Sequence, residues 1–176
     1  MKMYLLSILF IICGNSYANS DSQPDDYSYQ DVIKYRKMLN KIPEDKFLTN
    51  TLSSLYAIPP EINKNTILRP NDIILKNDNT ITVWFTQKVL KDGPILQSIK
   101  LRTGDKLKQQ YNIDCYNYSS ALLNMIVYRG DSVLTSQKES YIYFNDITPQ
   151  TVLASVATRA CMFQTALERK KALTSE

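Results

Sequence analysis

The sequence predicts an α+β domain: an antiparallel sheet of about five to six strands, with a disulfide-tethered C-terminal helix and short N-terminal helices. Three observations predict it. From Ile67 to Phe144, short runs rich in Val, Ile, Thr, Tyr and Phe are separated by clusters of Asn, Asp, Gly and Ser, the pattern of strands joined by turns. From Thr148 the apolar spacing changes to that of a helix. Two cysteines mark the two regions, Cys115 among the strands and Cys161 in the helix.

The 176 residues suffice for one domain. Met1 to Ala18 has the features of a secretory signal peptide. Lys2 is the charged start, Tyr4 to Cys13 is an apolar run too short to cross a bilayer, and Ser16 and Ala18 are small residues at the cleavage point. Cleavage after Ala18 is the expectation. The polar flank that follows argues against an uncleaved anchor, and the bulky Ile12 argues against lipidation at Cys13. Cleavage leaves Cys115 and Cys161 in an oxidising compartment, where two cysteines read as one disulfide. It also removes Lys2, leaving 20 basic residues against 17 acidic ones. That surplus is too small and scattered to indicate nucleic acid.

Residues 19–66 read as a polar leader followed by a helical extension. Asn19 to Tyr29 is acidic and has no apolar period. Gln30 to Ile42 places Val32, Ile33, Leu39 and Ile42 at helical spacing, with Asp31 as a cap and Pro43 as a stop. Pro43 to Ala57 repeats the pattern with Phe47, Leu48, Leu52, Leu55 and Tyr56, and Pro59-Pro60 ends it. This extension either packs on the domain or offers its apolar face to a partner.

Residues 67–170 read as the domain itself, and 171–176 as a fraying tail. Ile73 to Val89 is a hairpin turned at Asn77-Asp78-Asn79. Alternation in its second strand puts Ile81, Val83, Phe85 and Gln87 on one face and Thr82, Trp84 and Thr86 on the other. Ile95 to Arg102 is a strand turned at Thr103-Gly104-Asp105, and Leu107 to Cys115 is the next. Asn117-Tyr118 makes a turn into Ser120 to Tyr128, the strongest strand pattern, and Gly130 makes the following one. Ser132 to Leu134 and Ser140 to Phe144 supply further strand, with the polar SQKES segment between as a loop or bulge. In the final helix Thr148 serves as N-cap with Pro149 at the first position. Val152, Val156, Ala160, Phe163 and Leu167 form its stripe, broadened by Leu153, Ala157 and Cys161. Glu168-Arg169-Lys170-Lys171 is basic near its C-terminus, which suits the helix dipole.

The chain has no histidine, so Ser–His and Cys–His pairs are excluded and the usual zinc sites with them. Its four glycines are too dispersed for a phosphate loop. The carboxylate pairs Asp25-Asp26 and Glu44-Asp45 sit in solvated stretches, and no Ser-x-x-Lys motif has a context that buries its lysine. No cofactor is indicated. Tyr116, Tyr118, Tyr128, Tyr141 and Tyr143 cluster around the strands, either as packing or as a protein-binding face. Lys88, Lys91, Lys100, Arg102, Lys106 and Lys108 are either a solvated sheet edge or a patch for acidic partners or anionic lipid head groups.

One order of features is distinctive. ITVWF precedes lysine-rich strands, YNIDC and LLNMIVYRGDS follow, and YIYFNDI leads through Thr148-Pro149 to a helix ending TVLASVATRAC. This resembles the surface-adhesin protein E family of Gram-negative bacteria and the small exported proteins related to it, over about Ile67 to Cys161. The resemblance implies an antiparallel sheet with a disulfide-held C-terminal helix, outer-membrane association and binding of host matrix or plasma proteins. The matching positions are scaffold positions, so no binding residue carries over. The chain departs from the family in lacking a lipidation site and in its helical extension. The expected function is therefore a non-enzymatic exported binding protein of the periplasm or cell surface, with a protein partner. The alternative is a periplasmic accessory protein that docks another bacterial protein through the N-terminal helices.

Overall fold

The computed structural model describes residues 29–48, 60–76, 80–96 and 98–174. The expected signal peptide, most of the expected leader, the second half of the second helical pattern and the expected turn at Asn77-Asp78-Asn79 lie outside the described residues. In chain order the elements are α1 (Tyr29–Leu39), α2 (Glu44–Lys46), β1 (Glu61–Asn63), β2 (Thr66–Ile67), β3 (Ile73–Leu75), β4 (Thr80–Lys88), β5 (Ile95–Leu96), β6 (Ile99–Lys100), β7 (Lys106–Asp114), β8 (Ser119–Arg129), β9 (Ser132–Lys138), β10 (Asn145–Asp146) and α3 (Val152–Thr174).

The long antiparallel ladder β4–β7–β8 is the spine of the sheet. β2 and β3 lie end to end along the outer edge of β4, and β9 and β10 do the same along β8. With β1 beyond β2, eight strands fill a sheet only six positions wide. Paired residues of an antiparallel ladder share a face, so the register sorts the side chains. One face carries Ile81, Val83 and Phe85 of β4, Leu107, Gln109, Tyr111 and Ile113 of β7, and Leu122, Met125 and Val127 of β8. This is the covered face.

Two structures cover it. α3 packs across Ile81, Val83, Phe85, Tyr111 and Ile113 with Val152, Val156, Ala157 and Ala160. Each fully buried Val, Ile or Phe side chain contributes about 1.5–3 kcal/mol. The sequence stripe is one-sided, yet α3 is buried nearly all round from Val152 to Ala166. The reason is α1 and α2, which pack against α3 as well: Leu39 and Phe47 pack with Phe163 and Ala166, and Arg169 stacks 4.5 Å from the Phe47 ring. Small residues (Ala154, Ala157, Ala160) let the helix approach both neighbours closely. The described part of the N-terminal extension is thus built into the fold, with its apolar face covered.

The second cover is a flap, from Val89 to Asp105. The expected strand Ile95 to Arg102 does not join the sheet. Ser98 takes φ 69, which folds β5 back on β6 as a separate two-stranded hairpin. Its Leu96 and Leu101 close a second core with Leu107, Met125 and Val127. Gly93 allows this fold-back, since a Cβ there would come 3.3 Å from the Leu101 Cβ. Gly104 (φ 94) makes the return turn. The flap is held by Asp105, only 2% exposed, which pairs with Arg129 through Nε to Oδ1 at 2.9 Å and Nη2 to Oδ2 at 2.8 Å. Arg129 also donates to the Lys100 carbonyl at 3.0 Å.

Three other expectations are corrected. Thr151, not Thr148, caps α3: its Oγ1 accepts from the Ala154 N–H at 3.1 Å, because left-handed Gln150 (φ 58) interrupts the helical run after Pro149. The helix then continues to Thr174, past the expected start of the tail. β9 runs unbroken from Ser132 to Lys138, whereas Tyr141 to Phe144 leave the sheet and β10 re-enters it only at Asn145.

Cys115 and Cys161 are bonded, with Cα atoms 5.5 Å apart and a sequence separation of 46. The bond joins the end of β7 to the middle of α3. The chain-entropy account gives about 4 kcal/mol for a loop of this length. Cys161→Ser should therefore lower the thermal unfolding midpoint by about 10 °C, read by circular dichroism without reductant. A midpoint that does not move would show that helix packing alone holds α3.

Removal of the Arg129 guanidinium should loosen the flap. The Arg129 hydrogen bonds, aided by the Arg102 N–H, hold the Asp105 carboxyl below the usual carboxylate range. A depressed folded value stabilises the native state above the unfolded value of about 4 and loses that stabilisation as pH falls below it. Arg129→Met should lower the unfolding midpoint at pH 7, and its deficit against the natural protein should shrink toward pH 2. A deficit constant across that range would sink the assignment.

Candidate functional site

The other face of the sheet is open at one end. Register places Thr82, Trp84, Thr86 and Lys88 of β4 there, with Lys106, Lys108, Gln110 and Asn112 of β7 and Asn124, Ile126 and Tyr128 of β8. Thr82 and Asn112 are buried, while Lys88 and Lys106 are exposed and Trp84, Thr86, Lys108, Gln110 and Asn124 are half-buried. Lys138 of β9 pairs with Asn124 and joins the same face.

The chemistry concentrates around Trp84, the chain's single tryptophan. The Lys108 Nζ stands 5.1 Å from the indole centroid, a cation–π contact of about 0.5–1 kcal/mol at such a site. Asn124 donates its Nδ2 to the Gln110 Oε1 beside it. Lys88 and Lys106 are direct cross-strand partners, so two like charges sit opposite each other, which is unfavourable. Among the described residues no carboxylate forms an ion pair with Lys88, Lys106, Lys108 or Lys138; the described ion pairs are Lys34–Asp31 and Arg129–Asp105.

The six basic residues grouped by sequence therefore separate. Lys91, Lys100 and Arg102 ride on the flap over the opposite face. There Asp92 stands among them, its carboxyl held below the usual range by Thr103 hydrogen bonds and, further down, by Lys100 and Arg102. Lys88, Lys106 and Lys108 belong to the open face and to inner strands, so the edge-protection reading does not apply to them. Lys138 was missed because nothing in its local sequence separates it from an ordinary loop lysine.

The tyrosines separate too. Tyr118 belongs to the helix–sheet packing. Its hydroxyl donates to the Ala154 carbonyl at 3.2 Å and shares a 2.8 Å hydrogen bond with Thr158, and burial pushes its phenol up. Tyr116 lies under Arg36, at 5.2 Å, and its carbonyl accepts from the Tyr29 hydroxyl. Tyr128 lies on the open face opposite Lys106. Tyr141 and Tyr143 are 73% and 66% exposed on the loop before β10. Glu44 and Asp45 begin α2 and are exposed; Asp25 and Asp26 lie outside the described residues. Among the described residues no three Cys, Asp or Glu gather as a metal site, and no helix is long and apolar enough to cross a membrane.

No family model matches the chain, and no curated protein matches it in sequence. Among solved structures it is similar to protein E of Haemophilus influenzae in crystal form II, at 17% identity and TM-score 0.42, covering 59% of this chain and 85% of that one. It is also similar to protein E from non-typeable Haemophilus influenzae, at 16% identity and TM-score 0.37, covering 55% and 68%.

Adjacent residues of β4 test the two faces. Phe85, 5.9 Å from the Tyr111 ring, lies on the covered face, and Phe85→Ala should cost about 3–5 kcal/mol in chemical denaturation. Trp84→Ala, on the open face, should cost less than about 1.5 kcal/mol. Equal losses would contradict the face assignment.

Proposed function

We propose that this chain is a non-enzymatic exported binding protein of the Gram-negative envelope, one that presents the open end of its sheet to a partner. The observation that carries the reading is the uncompensated group of lysines around Trp84 on inner strands. Structural duty does not account for it: the group neither fills the core nor shields an edge. The disulfide supports an oxidising compartment. The order of sequence features shared with the surface-adhesin protein E family supports the same reading, including host or matrix proteins as partners. Packing of α1 and α2 against α3 favours a self-contained domain over an accessory protein docking through those helices.

Cell fractionation with protease shaving of intact cells tests this. The protein should be absent from the cytoplasm, and thiol labelling of the isolated protein without reductant should leave Cys115 and Cys161 unmodified. Recovery in the cytoplasm with both thiols labelled would overturn the reading. Resistance to protease in intact cells together with an envelope location would restrict it to the periplasm.

A further inference from the structure

We propose that the open face binds acidic polysaccharide, a chain of sugars bearing sulfate or carboxylate groups, across Lys88, Lys106, Lys108, Lys138 and the Trp84 ring. The proposal deepens the binding-protein reading and rests on it.

Four features converge on this ligand class. First, Lys88, Lys106 and Lys108 are placed where folding has no use for them. β4 and β7 are inner strands, and even the end of β4 is bonded on its outer side, Lys88 N–H to the Asn65 carbonyl at 2.8 Å. Lysine protects exposed edges, and there is no such edge at these positions. Second, the Lys88–Lys106 pair repels itself in the free protein, and an anion laid across both converts that repulsion into attraction. Third, the charges are spread rather than pocketed. Lys106 and Lys108 are two residues apart on one strand, about 7 Å, and Lys138 lies three strands over from Trp84 along the row Trp84–Gln110–Asn124–Lys138. A spread array suits repeating anionic groups on a polymer.

Fourth, the remaining groups match sugar rather than protein or lipid. The electron-rich face of an indole attracts the polarised C–H face of a pyranose ring, as it does other positive edges. Around it Gln110, Asn124, Thr86 and Tyr128 offer carboxamides and hydroxyls, which hydrogen-bond ring hydroxyl groups. A protein interface centres on a desolvated apolar patch. Here the apolar side chains are interleaved with polar and charged ones: Thr86 and Lys108 stand between Ile67 and Ile126, and Lys106 stands opposite Tyr128, with exposed Val133 beyond it.

Heparin fragments of defined length are the probe, titrated into the purified exported protein. Trp84 is the reporter, since no other tryptophan contributes. The expected result is a saturable change in Trp84 emission that weakens at least tenfold between ~50 and ~200 mM salt. Lys106→Gln with Lys108→Gln should weaken binding at least tenfold, with an unchanged circular dichroism spectrum. Lys91→Gln with Lys100→Gln, on the flap, should leave it unaltered. Absence of saturable binding, equal loss in the flap variant, or equally tight binding of poly-glutamate would each overturn the proposal, the last pointing to an acidic polypeptide. Failure of the titration in a protein that fractionates to the envelope removes the glycan alone. A cytoplasmic location removes the wider reading whatever the titration gives.

Discussion

The bond between Cys115 and Cys161 fixes where α3 lies, and that placement decides which face of the sheet is dry. Cys115 directly follows β7, an inner strand, and Cys161 lies near the middle of α3, so the bond ties the helix by its middle to the end of a central strand. The tight turn after Cys115 reinforces it. The Asp114 Oδ1 accepts from the N–H groups of Tyr116 and Asn117, and left-handed Tyr118 (φ 52) directs its ring toward α3. Once α3 is docked, α1 and α2 pack against it, with Val32 reaching the core that α3 shares with the sheet.

A sheet covered on one side only is the common antiparallel solution, but the cover here is in two parts with a polar seam between them. Thr66 and its cross-strand partner Gln87, with Gln109 diagonally beside them, lie on the covered face between the helix-capped core and the flap-capped core. Gln109 is buried, and neither end of its amide has a partner among the described residues; the Thr66 hydroxyl is in the same position. Unpaired buried amides are unfavourable, so the seam weakens cohesion between the two cores. The Arg129–Asp105 clasp then has a clear structural task. It holds the flap from its far end, where the seam cannot help.

Much of the fold is legible in the sequence where local chemistry and global packing agree. β4, β7 and β8 are visible because alternation matches the face they bury, and the turn at Gly130 because the position takes φ 60. The flap is not legible, since Ile95 to Arg102 has strand composition and only a left-handed serine breaks it. The second half of β9 reads as a polar loop or bulge because it is an outer strand with solvent beside it, so packing places few demands on Ser136, Gln137 and Lys138. The reverse holds for Tyr141 to Phe144, whose strand-like residues leave the ladder. The candidate site was half legible. Trp84 is set opposite the core by alternation alone, but its lysines are scattered along the chain and only the pairing register brings them together.

That register also explains how the protein tolerates the proposed binding surface in the middle of its sheet. An unfavourable cross-strand pair costs roughly 0.2–1 kcal/mol, and salt and long flexible stems reduce the repulsion between Lys88 and Lys106 further. The disulfide contributes about 4 kcal/mol from the opposite side of the same strands. Stability and recognition are thus divided between the two faces of one ladder. Every residue of β7 serves one or the other according to its parity: Leu107, Gln109, Tyr111 and Ile113 point to the covered face, and Lys106, Lys108 and Gln110 to the open one. A one-residue slip in β7 would exchange the two sets and bury three polar side chains. The continuous pairing of β7 with β4 along its whole length opposes that slip, and the Cys115 bond just past its end anchors the register from which the open face is built.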